Sequence, residues 1–189
     1  MAKAYIFLAN GFEDVEALGT VDILRRGGVD VKTVSINDDT AVTSSHGVTI
    51  YADITFNRAG LDNADMLILP GGMPGATNLN AHKGVCDALL NQNERGGKIA
   101  AICAAPMVLG GLGLLNGRRA TCYPGFEKYL DGAEYTGELF VTDGNITTGE
   151  GPAATFPFAY ELLTTLTDEA NAHDVAGGMM YLHLMGSDK

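Results

Sequence analysis

Basic clusters, long apolar runs and paired cysteines are all missing from this chain of 189 residues. Twelve lysines and arginines stand against 23 acidic residues, for a net charge of −11. Because the basic residues are scattered, we expect no binding to nucleic acid. No apolar run approaches the ~20 residues that a membrane-spanning helix needs, so we expect no membrane association.

Cysteine is scarce, and its spacing excludes whole classes of site. The chain has an odd number of cysteines, Cys86, Cys103 and Cys122, and no two of them form a C-x-x-C pair. This pattern predicts reduced thiols, a cytoplasmic location and no metal site. The start, Met1–Leu8, is interpreted as a first strand and not as a signal peptide. Hydrophobic residues make up 46%, and we expect one globular domain over residues 1–189.

The residues that are present alternate between strand and helix patterns. Predicted strands include Ala4–Ala9, Val29–Ile36, Met66–Leu69 and Lys98–Ile102, and a late hairpin joins Leu139–Thr142 to Ile146–Thr148. Predicted helices are Glu13–Arg26, His82–Arg95, Ala153–Leu166 and Val175–Leu184, whereas Asp168–Asp174 is expected to be a solvated acidic run. The alternation predicts an α/β fold, with a mostly parallel sheet covered on both faces. Ligands bind beyond the carboxyl ends of such strands.

Cys103 is the leading candidate for chemistry. It follows the buried strand Lys98–Ile102 and precedes a predicted helix that tolerates Pro106 in its first turn. A tight strand-to-helix corner lifts a nucleophile out of the sheet, and helix N–H groups favour thiolate over thiol. We therefore expect a reactive thiolate with a lowered pKa. The alternative is a small buried hydrophobe, the usual role of cysteine.

Glu16 and a glycine-rich loop are the candidates for partners of that thiol. Glu13 and Asp14 fit a solvated first helical turn, but Glu16 follows Val15, which we expect to face the core. A carboxyl at the edge of that face could move protons beside a thiolate, and its pKa would be raised there. Gly71 and Gly72 could bring backbone N–H groups to a reacting carbonyl oxygen. No Gly-Lys-Ser/Thr follows them, so no nucleotide cofactor is expected.

Several segments together resemble the ThiJ/PfpI superfamily, in the branch of the Parkinsonism-associated deglycase and bacterial ThiJ-type proteins. They occur in one order along nearly the whole chain. The matching segments are Ala9–Glu16, Val21–Gly27, Leu69–Gly72, Ala100–Pro106 and Gly151-Pro152. The combination of Ala-Ile-Cys-Ala-Ala-Pro, an upstream glutamate and Pro-Gly-Gly is more specific than any one of its parts.

The resemblance implies a flavodoxin-like three-layer sandwich, usually a homodimer. It implies that Cys103 is the nucleophile, readily oxidised to the sulfinate, and that Glu16 is its carboxyl partner. Backbone N–H groups of Gly72 and Ala104 would bind the oxyanion. Members are described as cofactor-independent glyoxalases, deglycases, oxidative-stress chaperones or peptidases.

Tyr123 stands where several relatives have a histidine before a proline. A Cys-His pair is what activates a peptidase thiol, so peptidase activity is disfavoured, while a tyrosine can still bind a carbonyl. A glutamine amidotransferase also needs a histidine base, and no His-x-Glu occurs. The leading hypothesis is a glyoxalase or deglycase acting on a small reactive carbonyl such as methylglyoxal. The alternative is a non-enzymatic sensor in which Cys103 is oxidised.

Overall fold

A seven-stranded sheet forms the centre of the computed structural model of the chain, which describes residues 1–186. The eleven strands are β1 Lys3–Leu8, β2 Asp30–Ser35, β3 Ala41–Thr43, β4 Thr49–Tyr51, β5 Ile54–Thr55, β6 Met66–Leu69, β7 Lys98–Ile102, β8 Arg119–Ala120, β9 Glu134–Tyr135, β10 Phe140–Asp143 and β11 Ile146–Gly149. The central order is β10-β11-β7-β6-β1-β2-β5, and only the β10–β11 pair is antiparallel. The predicted parallel sheet and late hairpin are confirmed.

Helices cover both faces of this sheet, which completes the three-layer α/β sandwich. The seven helices are α1 Asp14–Arg26, α2 Gly75–Ala81, α3 Lys83–Glu94, α4 Pro106–Gly111, α5 Thr155–Leu166, α6 Glu169–Gly178 and α7 Tyr181–Leu184. One layer packs α1 on α5 and α5 on α6, and the other packs α2 on α3 and α4. Within residues 1–186, every helix is too short or too polar to cross a membrane.

The strand order places three loops at one end of the sheet. The chain runs from β1 to β2 on one side and then returns to β6 on the other side, so the order reverses at β1. All four residues of β6 are buried, as a doubly covered strand requires. Because β1, β6 and β7 are adjacent and parallel, the loops that follow their carboxyl ends meet at this reversal point.

Helix α1 is rotated relative to the sequence prediction. Val15 is 46% exposed, whereas Glu16 is fully buried, so the expectation that Val15 faces the core was wrong. Thr20, Ile23 and Leu24 continue the buried face, at the spacing of one helical stripe that begins at Glu16. The polar anchor of Glu16, described below, therefore decides which face of α1 is buried.

The acids Asp168, Glu169 and Asp174 are exposed, as expected of a solvated run. From Glu169 on, this run is also helical, because the Asp168 side chain accepts a hydrogen bond from the N–H of Asn171 and caps α6. The predicted helix Val175–Leu184 is two helices, since Met180 has a φ of 61° and interrupts the run. Helix α2 was missed, and His82 caps α3 by accepting from the N–H of Val85.

Candidate active site

Cys103 lies on a sharp corner directly after β7. Its φ is 65°, a left-handed conformation that costs a non-glycine residue about 1–2 kcal/mol. Two main-chain hydrogen bonds hold it there: its N–H donates to the Gly149 carbonyl at 2.9 Å, and its carbonyl accepts from the Tyr123 N–H at 2.8 Å. The side chain is only 8% exposed. The neighbouring strands therefore enforce the strained elbow that the sequence predicted.

The carboxyl group of Glu16 is held inside the protein next to this cysteine. The Gly71 N–H donates to its Oε2 at 2.8 Å. The other oxygen, Oε1, is buried and has no hydrogen bond of standard geometry. Cys103 lies close by, because a Cβ on Gly71 would be 2.6 Å from the Cys103 Cβ and 2.7 Å from the Glu16 Oε2, and interaction with the thiol acts to lower the Glu16 pKa. The structure thus brings together the two candidate residues, which are distant in sequence.

The Pro-Gly-Gly loop has two different tasks. The N–H of Gly71 donates to Glu16, whereas the N–H groups of Gly72 and Ala104 act on Cys103 and lower the pKa of its thiol. A Cβ on Gly71 would lie 2.6 Å from the Cys103 Cβ and 2.7 Å from the Glu16 Oε2. Glycine is needed here because the backbone passes directly between the carboxyl and the thiol.

The surroundings of Cys103 and Glu16 do not lower the pKa of the Cys103 thiol, although the sequence had led us to expect this. Burial, together with the charge of Glu16, raises the pKa of Cys103 to about 12, although the N–H groups of Gly72 and Ala104 act to lower it. Burial also raises the pKa of Glu16 to about 7. The expectation of a thiolate made by helix N–H groups alone was wrong. A thiolate forms readily only when the neighbouring carboxyl is neutral.

Glu13 is a buried residue beside the candidate site that the sequence argument missed. It was taken as solvent-facing, but it is only 8% exposed. Its carboxylate accepts from the Glu16 N–H at 2.7 Å, and its own N–H donates to the Gly71 carbonyl at 3.0 Å. Its charge also raises the Glu16 pKa. The spacing Glu13-x-x-Glu16, which resembles a helix-capping box, is the signal that could have found it.

Tyr123 lies beside the corner but keeps its ring in solvent. It is 46% exposed, and its ring edge packs against Gly151, where an added Cβ would lie 3.1 Å from its Cδ2. Together with Pro124 and residues 150–154 it lines a cavity of about 240 Å³. Its main-chain bond to Cys103 fixes where this cavity begins, so its predicted place near the site is supported by geometry.

One cluster of possible metal ligands lies near the start of α1. Donor atoms of Glu13, Asp14 and His46 lie within 4.8 Å of one another. They are already engaged, since His46 Nδ1 is 2.8 Å from Asp14 Oδ2 and Glu13 caps Glu16. The Asp14 contact raises the pKa of the exposed His46 ring. The cluster is therefore accounted for as an ion-paired support of the helix start.

Comparisons with known proteins found relatives that match most of this chain. The family model described as DJ-1/PfpI family matches residues 2–165. Protein dj-1beta of Drosophila melanogaster is 35% identical over 180 residues, which cover 94% of this chain and 96% of that protein. Deglycase PH1704 of Pyrococcus horikoshii is 34% identical over 167 residues, which cover 87% of this chain and 99% of that one.

Solved structures give the same result for the fold. A mutant of the DJ-1 superfamily protein STM1931 from Salmonella typhimurium has a TM-score of 0.90 at 36% identity, covering 95% of this chain and 98% of that chain. Oxidized DJ-1 from Toxoplasma gondii has a TM-score of 0.91 at 31% identity, with the same two coverages, 95% and 98%. The sandwich is a flavodoxin-like fold of this group, as expected.

Proposed function

Since the chain belongs to the DJ-1/PfpI family, we propose that it is a cofactor-independent glyoxalase or deglycase in which Cys103 is the nucleophile. The observation that carries the proposal is that the buried Glu16 carboxyl and Cys103 lie side by side at Gly71, where an added Cβ would be 2.7 Å from the Glu16 Oε2 and 2.6 Å from the Cys103 Cβ. The deglycase from Pyrococcus horikoshii, at 34% identity, supports the class of reaction. The substrate would be an α-oxoaldehyde such as methylglyoxal, or one of its early adducts.

The reaction begins with one proton shared between the two side chains. With a pKa of about 7, the Glu16 carboxyl can be neutral near neutral pH, and in that state its charge no longer opposes ionisation of Cys103. The thiolate of Cys103 adds to the aldehyde carbon. The N–H groups of Gly72 and Ala104 bind the developing oxyanion, and the Glu16 proton neutralises it to give a hemithioacetal.

The same carboxylate then carries out the rearrangement. Glu16 takes a proton from the former aldehyde carbon and returns one to the neighbouring carbon, so the first carbon is oxidised as the second is reduced. The product is a thioester of lactate on Cys103. Water hydrolyses it, which releases lactate and restores the thiol. No outside oxidant or reductant is needed, because the two carbons exchange oxidation states.

Lactate formation from methylglyoxal by the purified protein tests this proposal. We expect the Cys103→Ser variant to lose on the order of 10³-fold or more in rate, because its hydroxyl stays protonated beside a carboxylate. The matched control is Cys86→Ser, which changes a half-buried thiol on α3. Equal lactate from the wild type and the Cys103→Ser variant would overturn the assignment.

A redox sensor is a second candidate, and the same N–H groups favour it. The N–H groups of Gly72 and Ala104 lower the Cys103 pKa and could equally bind sulfinate oxygens, with a neutral Glu16 as a third donor. The oxidized DJ-1 structure from Toxoplasma gondii is consistent with such chemistry in a relative. Mild peroxide should add the two oxygens of a sulfinate to Cys103 before Cys86 or Cys122. Oxidation of all three thiols at one rate argues against a sensor.

Peptidase and amidotransferase activities remain less favoured. The groups that set the Cys103 pKa among residues 1–186 are Glu16, Gly72 and Ala104, and none is a histidine base. Tyr123 donates its main-chain N–H to Cys103, which supports the interpretation that it lies where a histidine would be needed. Glutaminase and peptidase assays that show turnover would reverse this ranking.

A homodimer through α1 is the assembly that we propose, with the cytoplasm as the compartment. Val15 and Leu18 are 46% and 38% exposed on one stripe of α1. Gly19 brings the start of α5, with the 36% exposed Phe156, beside them. Exposed apolar groups on adjoining helices favour a protein partner. Light scattering should give twice the chain mass for the wild type and the mass of a monomer for Leu18→Glu.

The proposed compartment is the cytoplasm, because the three free thiols suit a reducing environment.

A further inference from the structure

A cavity lies near the corner that carries the candidate nucleophile, Cys103. It has a volume of about 240 Å³ and is lined by Tyr123, Pro124, Glu150 and residues 151–154. Most of these groups are apolar or aromatic. The volume is sufficient for a substituent of the size of a benzene ring, so the cavity could hold a part of the substrate that does not react.

The cavity adjoins Cys103 on both sides of the corner. The carbonyl of Cys103 accepts from the N–H of Tyr123, and its N–H donates to Gly149, the residue before Glu150. Because consecutive Cα atoms are about 3.8 Å apart, both walls of the cavity begin within a few ångströms of the Cys103 main chain. The cavity is therefore within reach of a substituent on a carbonyl compound bound at Cys103.

The charge of this wall is negative. Glu150 lines the cavity, and its charge acts together with that of Glu127 on the buried Cys122, whose pKa is raised first by burial and then by these two acids. The N–H of Gly125 donates to both carboxylate oxygens of Glu127 and lowers its pKa. The charges of Glu127 and Glu150 therefore both act on the surroundings of Cys122.

The nearby cations are directed elsewhere. Arg119 pairs with Glu138, and Lys128 Nζ lies over the Tyr129 ring, 5.0 Å from its centre. Arg118 donates to the carbonyl of Asp143 and to Asn145. Within residues 1–186, no salt bridge joins a basic side chain to Glu127 or Glu150. The acids at the cavity are thus not neutralised by the chain itself.

We propose that this cavity selects carbonyl substrates that carry a cationic substituent, with Glu150 and the exposed face of Tyr123 as the specificity-determining groups. The cation would lie near the Glu150 carboxylate and over the Tyr123 ring, as quaternary ammonium groups do on aromatic faces. An anionic substituent would be repelled. The inference rests on the proposed function, and it names the early carbonyl adducts of cationic molecules as the preferred substrate class.

Three arylglyoxals of similar shape test the selection. 4-(Trimethylammonio)phenylglyoxal is cationic, 4-tert-butylphenylglyoxal is its neutral isostere, and 4-carboxyphenylglyoxal is anionic. We expect kcat/KM for the cation to exceed that for the neutral isostere by roughly tenfold at low salt, with the anion slowest. Glu150→Gln should reduce the ratio to about threefold, because Glu127 and Tyr123 remain.

The control is Glu94→Gln, which removes an equal charge from an exposed position at the end of α3. It should leave the ratio unchanged. The proposal would be overturned if kcat/KM were the same for the cationic and neutral arylglyoxals in the wild type. It would also be overturned if Glu94→Gln lowered this ratio as much as Glu150→Gln does. Turnover of all three compounds at similar rates would leave the glyoxalase proposal intact and remove only the charge selection.

A second measurement covers the case in which no arylglyoxal is turned over. Cationic 2-(trimethylammonio)ethyl and anionic 2-sulfonatoethyl methanethiosulfonates label thiols without any catalysis. At Cys103 we expect the cation-to-anion rate ratio to exceed that at Cys86 severalfold, and to fall in Glu150→Gln but not in Glu94→Gln. Absence of turnover would refute the glyoxalase proposal, whereas an equal labelling ratio at both cysteines would refute the acidic cavity.

Discussion

Cys103 and Cys122 lie in neighbouring regions and differ in their surroundings, although both thiols are protonated at neutral pH. They are 8% and 0% exposed, and burial is the main reason that the pKa of each is raised to about 12. The second cause differs. At Cys103 it is the adjacent carboxyl of Glu16, whereas at Cys122 it is the charge of Glu127 and Glu150.

The difference teaches that a raised thiol pKa does not by itself mark an inert cysteine. The charge that suppresses ionisation of Cys103 belongs to a carboxyl whose own pKa is about 7, so a single proton on Glu16 removes the repulsion. Two N–H groups, from Gly72 and Ala104, then stabilise the thiolate. Among the charges and donors that act on Cys122, by contrast, no N–H group lowers its pKa.

Replacing Glu16 by glutamine should have the largest effect and should separate two kinds of reactivity. Glu16→Gln removes the charge that raises the Cys103 pKa, so alkylation of Cys103 by iodoacetamide at pH 7 should accelerate. Lactate formation should instead fall by about 10²- to 10⁴-fold, because the amide cannot move protons. Alkylation followed by mass spectrometry and a lactate assay measure the two effects. If both rates rise or both fall, Glu16 is not the proton carrier.

Stability against pH gives the next largest effect. Glu16 has a pKa of about 7 in the fold and an ordinary value of 4.5, so between these values the folded state holds a proton that the unfolded chain has released. The free energy of unfolding should therefore fall as pH rises from 4.5 to 7, by up to about 3 kcal/mol. In Glu16→Gln this contribution is absent.

Urea denaturation of both proteins across this range measures the difference. The stability of Glu16→Gln relative to wild type should rise with pH, because the variant no longer buries a carboxylate above pH 7. A difference that is constant from pH 4.5 to 8 would mean that Glu16 is solvated or already ionised in the fold. Other titrating groups are common to both proteins and cancel in this comparison.

The sequence could predict the parts of this site that depend on local pattern. The strand-to-helix corner identified Cys103, and the alternation of elements identified the sheet that brings the Pro-Gly-Gly loop to it. The rotation of α1 could not be predicted from periodicity. Val15 is the more apolar residue, yet the hydrogen bond from Gly71 to Glu16, a contact across 55 residues of sequence, turns the carboxyl inward instead.

The thiol pKa lay outside sequence reasoning for a similar reason. Backbone N–H groups at the corner were foreseen, but the burial of the pair depends on packing from several strands. The role of Glu13 was hidden because an acid in a first helical turn has a sufficient local explanation. Met180 has a left-handed conformation that separates α6 from α7, and the helix propensity of methionine gives no signal for such a break.

Cys122→Ser should have the smallest effect and should sharpen the contrast with Cys103. The hydroxyl would be fully buried where the thiol now packs, so we expect a loss of about 1–3 kcal/mol in the free energy of unfolding. The loss should be the same from pH 4.5 to 8, because the thiol titrates near pH 12 in the fold and near 9 in the unfolded chain. Lactate formation per folded molecule should not change, because no proposed step uses Cys122. A tenfold loss of lactate formation in a folded Cys122→Ser variant would mean that the two cysteines act together, and the separation drawn between them would fail.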